Sequence, residues 1–239
     1  MLLQTPCLSR ADIERIAKPM IEAYMQAHVP KHHMCYRVDP TALASLLGFR
    51  IEYLHLTQDG SILGQTASVP LWTTVIDPYV GETYCFLDGQ TILIEKKLQD
   101  NPRFVGRKNF TIAHELAHQI INRNYPNMYG AQYRIFCDYR RTEENKKKVI
   151  NWYEWQADAL AAALLLPPDA LDQAMFMFGL GSKMKVLSSK YSQYKYNAFC
   201  DMAEYLQVSK TTLAYRMEQM GLLERNYLIK EAQQRRGGN

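Results

Sequence analysis

Along the first third of the chain, apolar positions alternate between helical and strand spacing. From Leu8 to Ala27, Ile13, Ile16, Ala17, Met20, Ile21 and Tyr24 recur at helical intervals; this predicts a helix that Pro19 bends or divides and Pro30 closes. Asp39 ahead of Pro40, with Gly48 beyond, predicts a short helix over Asp39 to Leu47 and then a strand from Phe49 to Leu56. Between Gly60 and Leu98 the pattern shortens into β-rich runs at Thr73 to Ile76, Thr83 to Leu87 and Thr91 to Glu95, with Asp88-Gly89 as a hairpin-type turn signal. Asn101-Pro102 then opens a long helix to about Asn122, along which Phe104, Phe110, Ala113, Ala117 and Ile120 return at roughly helical spacing.

The second half reads differently. Arg123 to Lys148 is polar and aromatic, with charge runs, and is expected to be a surface excursion. A helix follows from about Val149 to Leu166, stopped by Pro167-Pro168, and then a short apolar helix from Asp169 to Phe178, ended by Gly179. Gly181 to Tyr196 reads as a connection, and Asn197 to Leu223 as two helices joined at Gln207-Val208-Ser209. The predicted class is α+β: a domain over residues 1–168 with a small sheet beside a long helix, a small all-α region over 169–225, and a frayed tail from 226 to 239.

Composition narrows the setting. With 239 residues and 47% hydrophobic content the chain can bury a full core. The longest apolar run, Ala157 to Leu166, is far short of a membrane span, and no basic start leads into an apolar signal segment. Five scattered cysteines without a CxxC pair fit a reducing, cytoplasmic compartment rather than a disulfide framework. A net charge of +4 decides nothing alone.

The chemistry sits in His114-Glu115-Leu116-Ala117-His118. On a helix, histidines four apart project from one face and can bind one zinc ion, while the adjacent Glu115 is placed to take a proton from water that the metal acidifies. A structural zinc wants four protein ligands and a hydrolytic zinc three, so a third ligand is needed. Glu154 is the best candidate. In Glu154-Trp-Gln-Ala-Asp158 the two carboxylates lie four apart on a predicted helix, letting Glu154 reach the metal while Asp158 accepts a hydrogen bond from a ligand histidine and orients it. The apolar surroundings of the pair, Trp152, Trp155, Ala157 and Ala159 to Leu166, argue against a merely solvated acidic face. Glu143, Glu144, Asp138 and Asp169 lie in polar or terminal settings and are weaker candidates. His28 and His32 are also four apart, but Pro30 separates them, and with His33 they read as loop surface. The ligand set suits manganese or iron as well as the zinc expected here.

These residues resemble the ImmA/IrrE family of zinc metallo-endopeptidases. The matching positions are Arg107, Phe110-Thr111, His114 to His118, Glu154, Ala157-Asp158 and Leu164-Leu165-Leu166-Pro167, within a likeness running roughly from Val38 to Pro168. Gln156 departs from it, standing where the family often has an acid, and the Arg123 to Lys148 excursion is long. The resemblance implies a zincin-like fold, a small sheet beside the HExxH helix, and intracellular cleavage of a regulatory protein, typically a DNA-binding repressor.

From Ala203 to Gly221 the pattern resembles a helix-turn-helix, with Ser209 capping the second helix. Such a segment often follows the peptidase part in that family. A DNA-binding reading would set Lys210, Thr211, Thr212, Tyr215 and Arg216 against nucleic acid; a packing or partner-binding role is favoured over it. Two alternatives to a peptidase remain: a DNA-binding regulator with a structural or vestigial metal site, and an antirepressor that captures without cutting. The oxyanion-stabilising group is not selected among Tyr153, Arg107 and other tyrosines, and the scissile bond, activating trigger and oligomeric state are not legible.

Overall fold

The computed structural model of the chain describes residues 8–31, 35–126, 137–140 and 152–228, with backbone alone at 137–140. His32, His33, the flanks of 137–140 and residues 229–239 lie outside this set, and so does any reading that falls on them.

Helix α1 spans Arg10–His28. Ser9 and Asp12 close a capping box at its start, each side chain satisfying the other's backbone amide. Pro19 stands inside one continuous helix and does not divide it. It lies on the exposed side, where water can take the carbonyl it leaves free, while Ile13, Ile16, Ala17, Ile21 and Tyr24 hold the opposite face in the core. Helix α2, Pro40–Leu46, begins at Asp39, whose carboxylate accepts from the Thr41 amide.

Strands β1 (Arg50–Leu54), β2 (Ile62–Thr66), β3 (Leu71–Asp77), β4 (Gly81–Leu87) and β5 (Thr91–Glu95) follow. The main sheet has the order β1-β5-β2-β6, where β6 is Cys137–Arg140. Strand β5 is parallel to β1 and antiparallel to β2, and all five of its residues are buried, as a central strand requires. The hairpin expected around Asp88-Gly89 does not form between β4 and β5. Instead β4 pairs with β3 in a separate two-stranded sheet, Trp72 opposite Phe86. Asp88 does make a local turn, accepting from the amides of Gln90 and Thr91 at 2.9 and 2.8 Å. That turn passes the chain from one sheet to the other. Inside the expected surface excursion, the 137–140 backbone pairs with β2 and forms the sheet edge.

Helix α3, Val105–Asn124, is entered through a 3₁₀ turn at Pro102–Phe104, where the Asn101 side chain accepts from Arg103 N. It packs on α4 (Trp152–Leu165) on one side and on β2 and β5 on another. Every residue from Thr111 to Asn122 is therefore buried, polar ones included. Helix α4 carries Ala157, Ala159 and Ala161 to Ala163 at buried positions, small side chains that let neighbouring helices approach closely. Beyond it come α5 (Pro168–Met177), β7 (Met184–Leu187), α6 (Gln193–Tyr205), α7 (Lys210–Gln219) and β8 (Leu223–Asn226). The stretch expected to be a plain connection thus holds β7, which pairs in parallel with β8, and the start of α6. One hydrophobic cluster takes in Ile16, Leu116, Leu164, Phe199 and Leu213, so α6 and α7 share a core with α1, α3 and α4. Among the described residues no helix is long and apolar enough to cross a membrane.

Candidate metal centre

His114 and His118 lie one turn apart on α3, each about 1% exposed, and Glu154 reaches them from the first turn of α4. The three side chains offer ligand atoms all within 4.8 Å of one another. The two Nε2 atoms are 3.0 Å apart; His114 Nε2 lies 3.2 Å from Glu154 Oε2, and His118 Nε2 lies 3.6 Å from Glu154 Oε1. Ligands about 2.0–2.1 Å from a tetrahedral zinc ion sit about 3.3 Å from each other. The observed triangle has that size. Two nitrogens and a carboxylate are also a donor set that zinc favours.

The two imidazoles are held by different means. His114 Nδ1 meets Asp158 Oδ1 at 2.9 Å, which leaves Nε2 to face the triad. His118 stacks on Tyr153, ring centroids 4.4 Å apart, and its buried Nδ1 has no hydrogen-bond partner among the described residues. Tyr153 itself is buried, and its hydroxyl accepts from Asn122 Nδ2 at 3.2 Å. The tyrosine is thereby a support for a ligand ring.

Charge follows this arrangement. Burial works to lower the His114 pKa, but hydrogen bonds to Asp158 and Glu154, with the nearby Glu115 charge, outweigh it and push His114 up to about 10. His118, buried without a comparable anion, is lowered by desolvation. For Glu154, burial acts upward, yet the two imidazoles bring its carboxyl well below the usual range.

Glu115, fully buried, lies against β2. A methyl group at Gly64 would lie 2.8 Å from Glu115 Cγ and 2.7 Å from Thr111 Cγ2, so β2 can lie this close to α3 only with glycine there. Gln119 fastens the same strand, donating to Ala67 O at 2.7 Å. Neither Gly64 nor Gln119 stood out in the sequence, because a glycine in an unrecognised strand carries no local signal. Gln156 does not approach the triad. It is fully buried, accepting from Leu8 N and donating to Trp152 O, both at 2.8 Å.

Arg216, one of the groups a DNA-binding reading needs, is 2% exposed. Its Nε donates to Leu166 O at 3.0 Å and its terminal nitrogens pair with the Glu14 carboxylate. It is therefore not available to a phosphate. Arg107 is exposed, with its guanidinium over the Phe104 ring. Beside the triad, a cavity of about 660 Å³ lies between the start of α3, α4 and α7, with Asp158 in its wall.

A sheet-backed helix bearing two imidazoles, met by a carboxylate from a second helix, is an arrangement that could hold a metal ion in an α+β protein. Residues 98–218, just over half of the chain, match the family model described as the IrrE N-terminal-like domain, Peptidase M78, and the chain belongs to that metallopeptidase family. No curated protein matches the chain.

Proposed function

We propose that this chain is a zinc-dependent endopeptidase that cuts a peptide bond in a regulatory protein, its substrate a DNA-binding repressor in the cytoplasm. The observation that carries the reading is the triangle of His114 Nε2, His118 Nε2 and the Glu154 carboxylate, sized for one tetrahedral ion and built from three protein ligands. Membership in a metallopeptidase family supports the reaction class. The repressor and the cytoplasmic setting rest on the resemblance at Arg107 to Pro167 and on cysteine usage.

In this proposal His114, His118 and Glu154 hold the ion, and Asp158 fixes the His114 tautomer. A zinc ion bound there supplies Lewis acidity for a carbonyl oxygen and a lowered pKa for water. Glu115 takes the proton of the attacking water and returns it to the departing amine, so no covalent enzyme intermediate is needed. Tyr153 keeps the His118 ring in place by stacking.

The test is to incubate metal-loaded wild type and Glu115→Gln protein with a candidate repressor and to follow fragments by mass spectrometry. Wild type should generate defined fragments and the variant none, with equal metal in both. Fragments that persist with Glu115→Gln would remove Glu115 from its role, and their absence with both proteins for every repressor tried would favour capture over cleavage.

A further inference from the structure

We propose that the cavity beside the triad is the subsite that selects the substrate, that it takes a large apolar side chain, aromatic or branched aliphatic, and that Tyr215 and Thr211 of α7 help set this preference. The inference rests on the peptidase reading and adds a substrate class to it.

The cavity adjoins residues that touch His114. Asp158, which bonds His114 Nδ1, forms part of its wall, as do Phe110, whose ring centroid is 6.3 Å from that of His114, and Trp155, the residue after Glu154. Three aromatic rings line the cavity, Phe110 from α3, Trp155 from α4 and Tyr215 from α7, and Arg107, Asp158 and hydroxyl side chains stand between them. Trp155 is half-buried and Tyr215 is 39% exposed, so both rings still have apolar surface to lose to a guest. Rings of this kind reward burial of apolar area and discriminate weakly between side chains of similar bulk.

Helix α7 is fixed as a wall. Its inward positions Leu213, Arg216 and Met217 are buried, with Arg216 tied to α1 and to the end of α4. Thr211 and Tyr215, four apart, therefore share the face that turns to the cavity. The turn ahead of α7 is seated on α3: a Cβ at Gly106 would lie 2.7 Å from Val208 C and Ser209 N, and Asn109 Nδ2 donates to Gln207 O at 3.0 Å. The family match runs to residue 218 and so includes most of this helix. Thr211, Thr212 and Tyr215, which a DNA-binding reading would set against nucleic acid, line this cavity.

The experiment uses zinc-loaded Glu115→Gln protein, which should bind without cutting, and labelled short peptides identical except for Phe, Leu, Ala or Asp at one central position. Fluorescence anisotropy should show the Phe and Leu peptides bound about tenfold or more tighter than the Ala and Asp peptides. Placed in the same protein, Tyr215→Phe should keep that preference, Tyr215→Ala should weaken it, and Thr211→Trp, which fills the cavity from an exposed position, should abolish it, all with unchanged metal content. Binding indifferent to the central residue, or a preference that survives both Tyr215→Ala and Thr211→Trp, overturns the proposal. Graded binding together with no cleavage by wild type upholds the subsite and counts against hydrolysis. Cleavage without graded binding does the reverse.

Discussion

The α3–α4 pair and the α6–α7 pair are both two-helix units with an apolar seam, yet they use buried polar side chains in opposite ways. On α7 the buried Arg216 is fully engaged within the fold, by the Leu166 carbonyl and the Glu14 carboxylate. Across α3 and α4 the polar groups converge instead, and His114, His118 and Glu154 turn ligand atoms to within 4.8 Å of one another. Two imidazoles and a carboxylate that converge on one point form a donor set that could hold an ion, whereas a guanidinium paired within the fold is structural. A buried polar group on a helix thus points to chemistry when it shares one focus with others, and to packing when its partners lie apart.

The sharpest way to break this comparison is to remove the ligands. His114→Ala combined with His118→Ala should reduce bound metal from stoichiometric to background by elemental analysis, with the circular dichroism spectrum retained. Metal that stays bound would place the ion elsewhere. Next in size, Arg216→Leu should lower the unfolding free energy by about 3 kcal/mol in urea titrations, near the low end for a broken buried ion pair because Glu14 keeps its other side in water. Metal content should not change. If it falls with stability, the two pairs are one cooperative unit and the contrast fails. The smallest effect belongs to Asp158→Asn, which keeps the shape but weakens the acceptor on His114 Nδ1. Chelator competition should show metal affinity about 10–100-fold weaker, with little change in stability.

What the chain discloses before folding depends on how local the information is. His114 and His118, or Glu154 and Asp158, are related by one helical turn, so their shared face follows from spacing alone, and the apolar run around Glu154 signals a buried helix. Strand β2, Ile-Leu-Gly-Gln-Thr, has neither alternation nor a β-branched run, and only its place between β5 and β6 makes it a strand. Strands β7 and β8 are four residues each and pair across the whole of α6 and α7. The Asp88-Gly89 signal is a real turn, but which sheet each flanking strand joins is decided by a buried β5 that needs neighbours on both sides. For α7, periodicity identifies the buried face but not what the opposite face meets. The ion pair of Arg216 with a residue 202 positions earlier carries that information, and no window of sequence spans it.

That ion pair also bears on how the molecule is made. Glu14 leaves the ribosome 202 residues ahead of Arg216, so α1 stays unclasped while everything between them is synthesised. The floor of the cleft, on α3 and α4, exists well before its far wall does. A nascent chain can assemble its candidate metal centre yet present an open trough, and becomes choosy about what enters only when α7 swings in and fastens to α1.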